Sequence, residues 1–138
     1  MKQFFKKINV LVSSQSIINI TAQIKSFVRS TNINNGLINI SILHTTASLL
    51  IQENDDPKVL EDIKAFFSKI VPENAQYKHN FEGLDDMPAH IKSCLTNTNL
   101  TISIIEKKLL LGVWQNIYLF EHRYNIKNRE IFVHLFGE

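Results

Sequence analysis

The stretch LINISILHTTASLLIQE, residues 37–53, contains two predicted strands and the polar segment that joins them. In its first half, isoleucines alternate with polar residues, which is the period of a strand with one buried face. Residues 48–53 predict a second strand that returns after a short connection. The pattern therefore puts His44, at the end of the first strand, and Glu53, at the end of the second, at the edge of the hydrophobic core.

The rest of the chain surrounds these two strands with helices and further strands. Asp56 and Pro57 are typical of a helix N-cap and first position, and they open the clearest helix. Asp86 is the expected N-cap of a later, shorter helix. The predicted helices cover residues 19–30, 55–71 and 86–95, and the other predicted strands cover 4–14, 100–106, 109–121 and 130–136, with a hairpin loop at 122–129. Strands, then helices, then a run of strands predict an α+β fold with mixed, largely antiparallel sheets and flanking helices, in a single domain over residues 1–138.

Composition excludes several classes of function. The 138 residues are 44% hydrophobic and 20% charged, as in an ordinary globular protein. The formal net charge of +2 argues against a nucleic-acid partner, which requires a concentrated basic face. Cys94 is the only cysteine, and no apolar run approaches the ~18 residues of a membrane span. We therefore expect a cytoplasmic protein in a reducing compartment, without a membrane partner.

Five histidines are present, and neutral imidazole is a common metal ligand. His44 at a strand end, His79 in a loop and His90 near a helix start are plausible ligands. Their spacing matches no compact metal motif. The alternative is that His44 caps a strand end, His79 is an exposed loop residue and His90 is a surface residue of its helix. His134 is expected within a strand, and His122 on the surface of the hairpin loop.

Acidic and hydroxyl side chains near these histidines suggest further roles. Glu53 is a candidate general acid or base, and its alternative is a favourable charge near a helix N-terminus. Asp85 is a candidate hydrogen-bond partner that would orient His90 as a metal ligand. The hydroxyl groups of Thr45 and Thr46 are candidate hydrogen-bond donors to a phosphate or carboxylate. The alternative is that they form hydrogen bonds at the strand end.

The segment LLLGVWQNIYLFE, residues 109–121, holds the only tryptophan. Trp114 and Gln115 must face opposite sides of a strand. Trp114 is expected in the core or at a subunit interface, because large aromatic side chains dominate the energetics of both. Gln115 is a candidate for substrate binding, or else bonds to the backbone.

Several fragments match a known family in order and spacing. They are G-x7-HTTASL-x3-E from Gly36 to Glu53, the histidine at 79, DDMPAH at 85–90 and LLLGVWQNIYLFE at 109–121. Together they resemble the YjbQ family, also called the secondary thiamine-phosphate synthase family. The chain departs from the family pattern at Gln52, at Val113 and in the loop 122–129.

The resemblance implies an α+β fold assembled as a homotrimer, with a metal site formed by histidines in a cleft. Carried over by position, His44, His79 and His90 are the implied ligands, with Glu53 as the acidic residue of the site. Arg129 matches a basic residue before the last strand, where it would pair with a substrate phosphate. Three imidazoles suit zinc, nickel or a similar ion, and magnesium is the alternative for a diphosphate substrate.

The implied function is secondary thiamine-phosphate synthase activity, which joins a pyrimidine diphosphate to a thiazole phosphate and releases diphosphate. The expected partners are a small phosphorylated molecule and further copies of the chain. Thr45, Thr46, Gln115 and Arg129 are the predicted substrate-binding residues. A metal-dependent hydrolase of small molecules and a non-catalytic binding or assembly protein are the competing hypotheses.

Overall fold

The computed structural model describes residues 1–138, which form eight strands and three helices. Their bounds are β1 Lys2–Val12, β2 Ser16–Asn19, α1 Thr21–Ser30, β3 Gly36–Ile42, β4 Ala47–Glu53, α2 Pro57–Ile70, α3 Asp86–Leu95, β5 Asn99–Ile105, β6 Lys108–Leu109, β7 Gln115–Glu121 and β8 Lys127–Gly137. Every strand pairing is antiparallel. The α+β prediction with largely antiparallel sheets is therefore confirmed.

The strands form two sheets with different roles. The larger sheet has the order β1-β8-β3-β5-β6, and the smaller one has the order β2-β7-β4. The central strand β3 pairs with β8 on one side and β5 on the other, and Ile40 lies opposite Val133 and Leu100. One continuous cluster of buried apolar side chains draws on both sheets and on α1. The alternating isoleucines of β3 lie in this cluster, as their period predicts.

Helix α2 begins as its sequence predicts. The side chain of Asp56 accepts the N–H of Lys58 at 2.9 Å, and Pro57 occupies the first turn. However, no residue of α2 is fully buried. Phe66 and Ile70 keep about half of their side-chain surface accessible, at 57% and 47%. The apolar stripe of α2 is thus only partly covered by the chain itself.

The predicted strand over residues 109–121 is shorter in the structure. Residues 110–114 leave the sheet, and β7 begins at Gln115. Gly112 donates its N–H to the Gln115 side-chain oxygen at 2.7 Å, which closes a turn before the strand. The apolar run at 109–111 resembles a strand, but this turn interrupts the ladder. The four-residue strand β2 was not predicted, because so short a segment carries little periodicity.

Helix length also bears on membrane insertion. None of the three helices is sufficiently long and apolar to span a bilayer.

Candidate metal centre

Two potential ligands lie on the first turns of α3. Asp86 and His90 are four residues apart, so the helix places both side chains on one face. The loop before α3 brings His79 to the same point. Asp86 Oδ2 lies 2.5 Å from His79 Nε2 and 3.5 Å from His90 Nε2. The ligand atoms of all three residues lie within 4.8 Å of one another.

The three side chains differ in exposure. The Asp86 carboxylate is almost completely buried at 2%, whereas the His79 and His90 side chains are about one third exposed. The carboxylate therefore forms the floor of the cluster, and the imidazoles extend from it towards solvent. A cavity of about 270 Å³ opens beside His79, with Glu73, Tyr77 and other residues of the same loop in its lining.

Arg123, just after β7, fixes the carboxylates at the start of α3. Its guanidinium contacts Asp86 Oδ1, donates from Nε to Asp85 Oδ2 at 2.9 Å and donates to the carbonyl of Glu82 at 2.9 Å. Asp85 also accepts the N–H of Tyr124 at 3.0 Å. Burial alone would raise the pKa of Asp85, but these donors outweigh it and hold the pKa below its ordinary value. Asp85 is therefore ionised at neutral pH, and Arg123 joins the end of β7 to α3.

The donor set fits a divalent transition metal. Catalytic zinc sites typically use three protein ligands, and two histidines with one carboxylate are a known set for zinc and for non-haem iron. Outer groups that hold the ligands are the usual companions of such sites. Here Arg123 holds Asp86 by one oxygen and leaves the other directed at His79 and His90.

His44 does not belong to this cluster. Its Nε2 accepts the backbone N–H of Glu130 at 2.7 Å, so that nitrogen is engaged at the edge of β8. Burial and the positive charge of Arg129 lower the pKa of His44 below its ordinary value, which keeps the imidazole neutral at pH 7. The set that the structure brings together is therefore His79, Asp86 and His90. Its third member is Asp86 rather than the predicted His44.

Thr46 and Arg129 lie in a buried ion-pair network. Arg129 is 4% exposed and donates to both oxygens of Glu121, at 2.5 and 2.6 Å. It also donates to the hydroxyl and the carbonyl of Thr46, at 3.0 and 3.3 Å. The predicted substrate-binding role requires accessible donors, whereas both side chains are buried, Thr46 is bonded to Arg129, and Arg129 is bonded to Glu121 as well.

The other predicted site residues lie outside the cluster. Glu53 is half-buried and accepts the N–H of Asp55 at 3.3 Å, while the side chain of Gln115 closes the turn at Gly112. Thr45 is exposed. The catalytic role of Glu53 and the substrate contacts of Gln115 and Thr45 stay predictions.

The start of α3 differs from its sequence-based description. Asp85, not Asp86, occupies the N-cap position, and its side chain makes no capping hydrogen bond. Asp85 bonds to Arg123 rather than to His90, and the contact expected of it is made by Asp86. The reason is that Arg123 attracts both carboxylates towards the end of β7. The spacing of Asp86 and His90 was the signal that could have placed them on one face.

A second polar cluster lies inside the protein at the end of β7. His122, expected on the surface, is only 1% exposed, and its Nε2 lies 2.9 Å from the Ser48 hydroxyl. Its Nδ1 is buried without a hydrogen-bond partner. Burial, with the charges of Lys92 and Arg129, lowers the pKa of His122 to about 3. The surface prediction is therefore wrong, because His122 directly follows the buried end of β7 and its side chain packs inside against Ser48 of β4.

His122 should make the protein less stable in acid. The unfolded chain takes up a proton near its ordinary pKa of 6.5, whereas the folded chain does so only near 3. The free energy of unfolding should thus fall by about 2 kcal/mol between pH 7 and pH 5 through this group alone. His122→Gln, whose amide can still form a hydrogen bond with Ser48, should lose about 2 kcal/mol less than the unmodified protein in urea titrations at these two pH values. His134→Gln is the control. An equal loss of stability between pH 7 and pH 5 in all three proteins would contradict the assignment.

Comparison with known proteins identifies the family. Residues 6–138 match the family model described as UPF0047 protein YjbQ-like. A UPF0047 protein of Synechocystis is 45% identical over 130 residues, which cover 94% of this chain and 88% of that one. The UPF0047 protein YjbQ of Salmonella typhimurium is 47% identical over 103 residues, which cover 75% of each chain.

Solved structures agree with this assignment. A YjbQ/UPF0047 protein of Clostridium acetobutylicum, described as uncharacterised, superposes with a TM-score of 0.89 at 34% identity, over 95% of this chain and 99% of that one. A YbjQ-like protein of unknown function from Sulfolobus solfataricus gives 0.88 at 26% identity, over 99% and 100%. The resemblance seen in the sequence is thereby confirmed, and this chain belongs to the YjbQ/UPF0047 family.

Proposed function

We propose that the protein is a metal-dependent enzyme that holds one divalent transition metal ion with His79, Asp86 and His90 and acts on a small phosphorylated molecule. The observation that carries the proposal is the convergence of two imidazole nitrogens and one carboxylate oxygen within 4.8 Å. These atoms come from a loop and a helix, so the convergence is a product of the fold. Zinc or a similar ion suits the nitrogen-rich set better than magnesium, which prefers oxygen ligands.

The cavity beside His79 supports a phosphorylated substrate only together with the metal. No lysine or arginine is part of its lining, which includes Glu73. A bound divalent ion would supply the positive charge that polarises phosphate oxygens and stabilises a leaving diphosphate. His79 and His90 would hold that ion at the open side, while Asp86, held in place by Arg123, would bind it from the buried side.

The specific reaction that we propose is the formation of thiamine phosphate from a pyrimidine diphosphate and a thiazole phosphate. It rests on the family resemblance together with the metal centre. Hydrolysis of a phosphorylated molecule is the second candidate, because the same ion would serve both reactions. The third candidate is a non-catalytic binding role, which requires only that the site bind a ligand.

Activity measurements separate these candidates. With both phosphorylated substrates and added zinc, the purified protein should form thiamine phosphate and release one diphosphate for each product molecule. His90→Ala should lose about 100-fold or more of the rate, and His134→Ala, on the exposed face of β8, should retain it. Phosphate release without the joined product would identify a hydrolase, and saturable binding without turnover would identify a binding protein.

Glu53→Gln tests the predicted acid or base separately. The rate should fall by about 100-fold, since general acid–base catalysis contributes roughly that much or more. Metal content should stay unchanged, because Glu53 is not one of the clustered ligands. An unchanged rate would remove Glu53 from the mechanism and leave the metal centre untouched.

We also propose that the chain assembles as a homotrimer. The support is the exposed apolar surface of α2 and of the turn before β7, where Trp114 is 57% and Val113 79% accessible. Large apolar surfaces of this kind commonly mark protein interfaces. Sedimentation equilibrium should give three times the chain mass of 15.9 kDa. A monomer at micromolar concentration would contradict the proposal.

A further inference from the structure

The fold brings together two pairs of cationic side chains that are far apart in the sequence. Lys25 and Arg29 are one turn apart on α1, Lys107 lies in the turn between β5 and β6, and Lys108 is the first residue of β6. The four side chains line a single cavity of about 240 Å³. Its only other lining residues are Val28 and Leu109, both apolar.

None of these four cations has a partner within the chain. They form no ion pair and no side-chain hydrogen bond, and no carboxylate lies in the cavity lining. Lys25 and Arg29 repel each other, since like charges four residues apart destabilise a helix. The repulsion between these charges is therefore not offset by any side-chain ion pair within the chain.

The backbone at Lys107 is also in a less favourable conformation. Its φ is +61°, in the left-handed region that lysine adopts less readily than glycine or asparagine. The turn is nevertheless held firmly, because Lys107 N–H donates to the carbonyl of Asn34 at 2.9 Å and Glu106 N–H donates to the Asn35 side chain at 3.2 Å. Glu106 also has a positive φ, at +50°, because these two residues form the two-residue turn that joins the antiparallel strands β5 and β6. The turn and the start of β6 thus present Lys107 and Lys108 to the same cavity as the two cations of α1.

We propose that this basic cavity is a binding site for the phosphate groups of a small molecule, separate from the candidate metal centre. Several ammonium groups and one guanidinium match a group with more than one negatively charged oxygen, and such charge-assisted hydrogen bonds are strong. A nucleic acid would require a basic face that follows its backbone, whereas these charges converge on one cavity in a chain of net charge +2. The ligand class is therefore a small phosphorylated molecule, with diphosphate as its simplest representative.

Calorimetric titration with inorganic diphosphate tests the proposal. Metal-depleted protein carrying His90→Ala is the reference, because it removes binding through a metal ion. In that background, Lys25→Gln with Lys107→Gly should weaken diphosphate binding about tenfold or more. Lys2→Gln with Lys58→Gln lowers the net charge equally at exposed positions outside the cavity, and should change binding by less than about twofold.

Three results would overturn the assignment. They are the absence of saturable binding in the reference protein, equal weakening in both double variants, and tighter binding of a single-stranded oligonucleotide than of diphosphate at the same cavity. Thermal unfolding of Lys107→Gly gives a second, independent readout. Without diphosphate, the unfolding midpoint of the variant should be higher than that of the reference, because glycine adopts the positive φ more readily than lysine. Added diphosphate should raise the midpoint of the variant by less than it raises that of the reference. An increase with diphosphate equal to that of the reference would remove Lys107 from the site.

Discussion

Replacing Arg129 with methionine should lower the free energy of unfolding by about 3–5 kcal/mol. The variant leaves the Glu121 carboxylate, which is fully buried, without the guanidinium that contacts both of its oxygens. A buried charge that loses its partner keeps the full cost of its removal from water. Urea unfolding of metal-depleted protein, with stability extrapolated to zero denaturant, gives the value.

Two controls separate burial from charge pairing. Lys7→Met breaks the exposed pair with Glu130, at 3.1 Å, and should cost less than about 1 kcal/mol. The double variant Glu121→Leu with Arg129→Met removes both buried charges and should recover half or more of the loss. It should not recover all of it, because the Arg123 N–H loses its acceptor on Glu121. A double variant as unstable as the sum of its single variants would contradict this account.

Replacing Asp86 with asparagine should weaken zinc binding by more than about 100-fold. The amide retains the shape of the side chain. Helix α3 and the contact between Arg123 and residue 86 should therefore persist. What is lost is the negatively charged oxygen between His79 and His90. Competition with a chromophoric chelator measures the affinity of each variant.

Asp85→Asn is the matched control at the next position. Asp85 touches Arg123 and the backbone of Tyr124 rather than the clustered ligand atoms. Its effect on zinc affinity should be indirect, at about tenfold. Equal losses for the two variants would show that the carboxylates act through general electrostatics, and Asp86 would no longer be a ligand.

The sequence predicts those parts of the fold that have a local period. Isoleucines in β3 alternate between core and surface, and Asp56 with Pro57 opens α2, because both patterns are decided by near neighbours. The family resemblance extends this to the whole chain. Two features without such a period were missed, namely the short strand β2 and the turn at Gly112 that delays β7.

The candidate site was predicted only in part. His79 and His90 converge as the resemblance implies, but His44 bonds to the backbone of β8, and Asp86 completes the cluster. Arg123, which holds Asp86, lies 37 residues away in the chain. Contacts across such separations depend on how sheets and helices pack, and no local pattern in one sequence reveals them.

The burial of His122 likewise depends on contacts with residues that are distant in the sequence. A polar stretch with histidine and arginine after β7 is typical of a surface loop, yet the side chains of His122 and Arg123 point inside. Each is received by a partner from another element, the Ser48 hydroxyl for His122 and the carboxylates of α3 for Arg123. Burial of a polar group costs free energy that hydrogen-bond partners offset, and these partners are distant in sequence.

Anomalous X-ray diffraction at the zinc absorption edge, on crystals of the unmodified protein grown with one equivalent of zinc, tests the metal centre most directly. The account predicts one strong anomalous peak about 2.0–2.2 Å from His79 Nε2, Asp86 Oδ2 and His90 Nε2. A peak at His44, or no peak at the cluster, would contradict it.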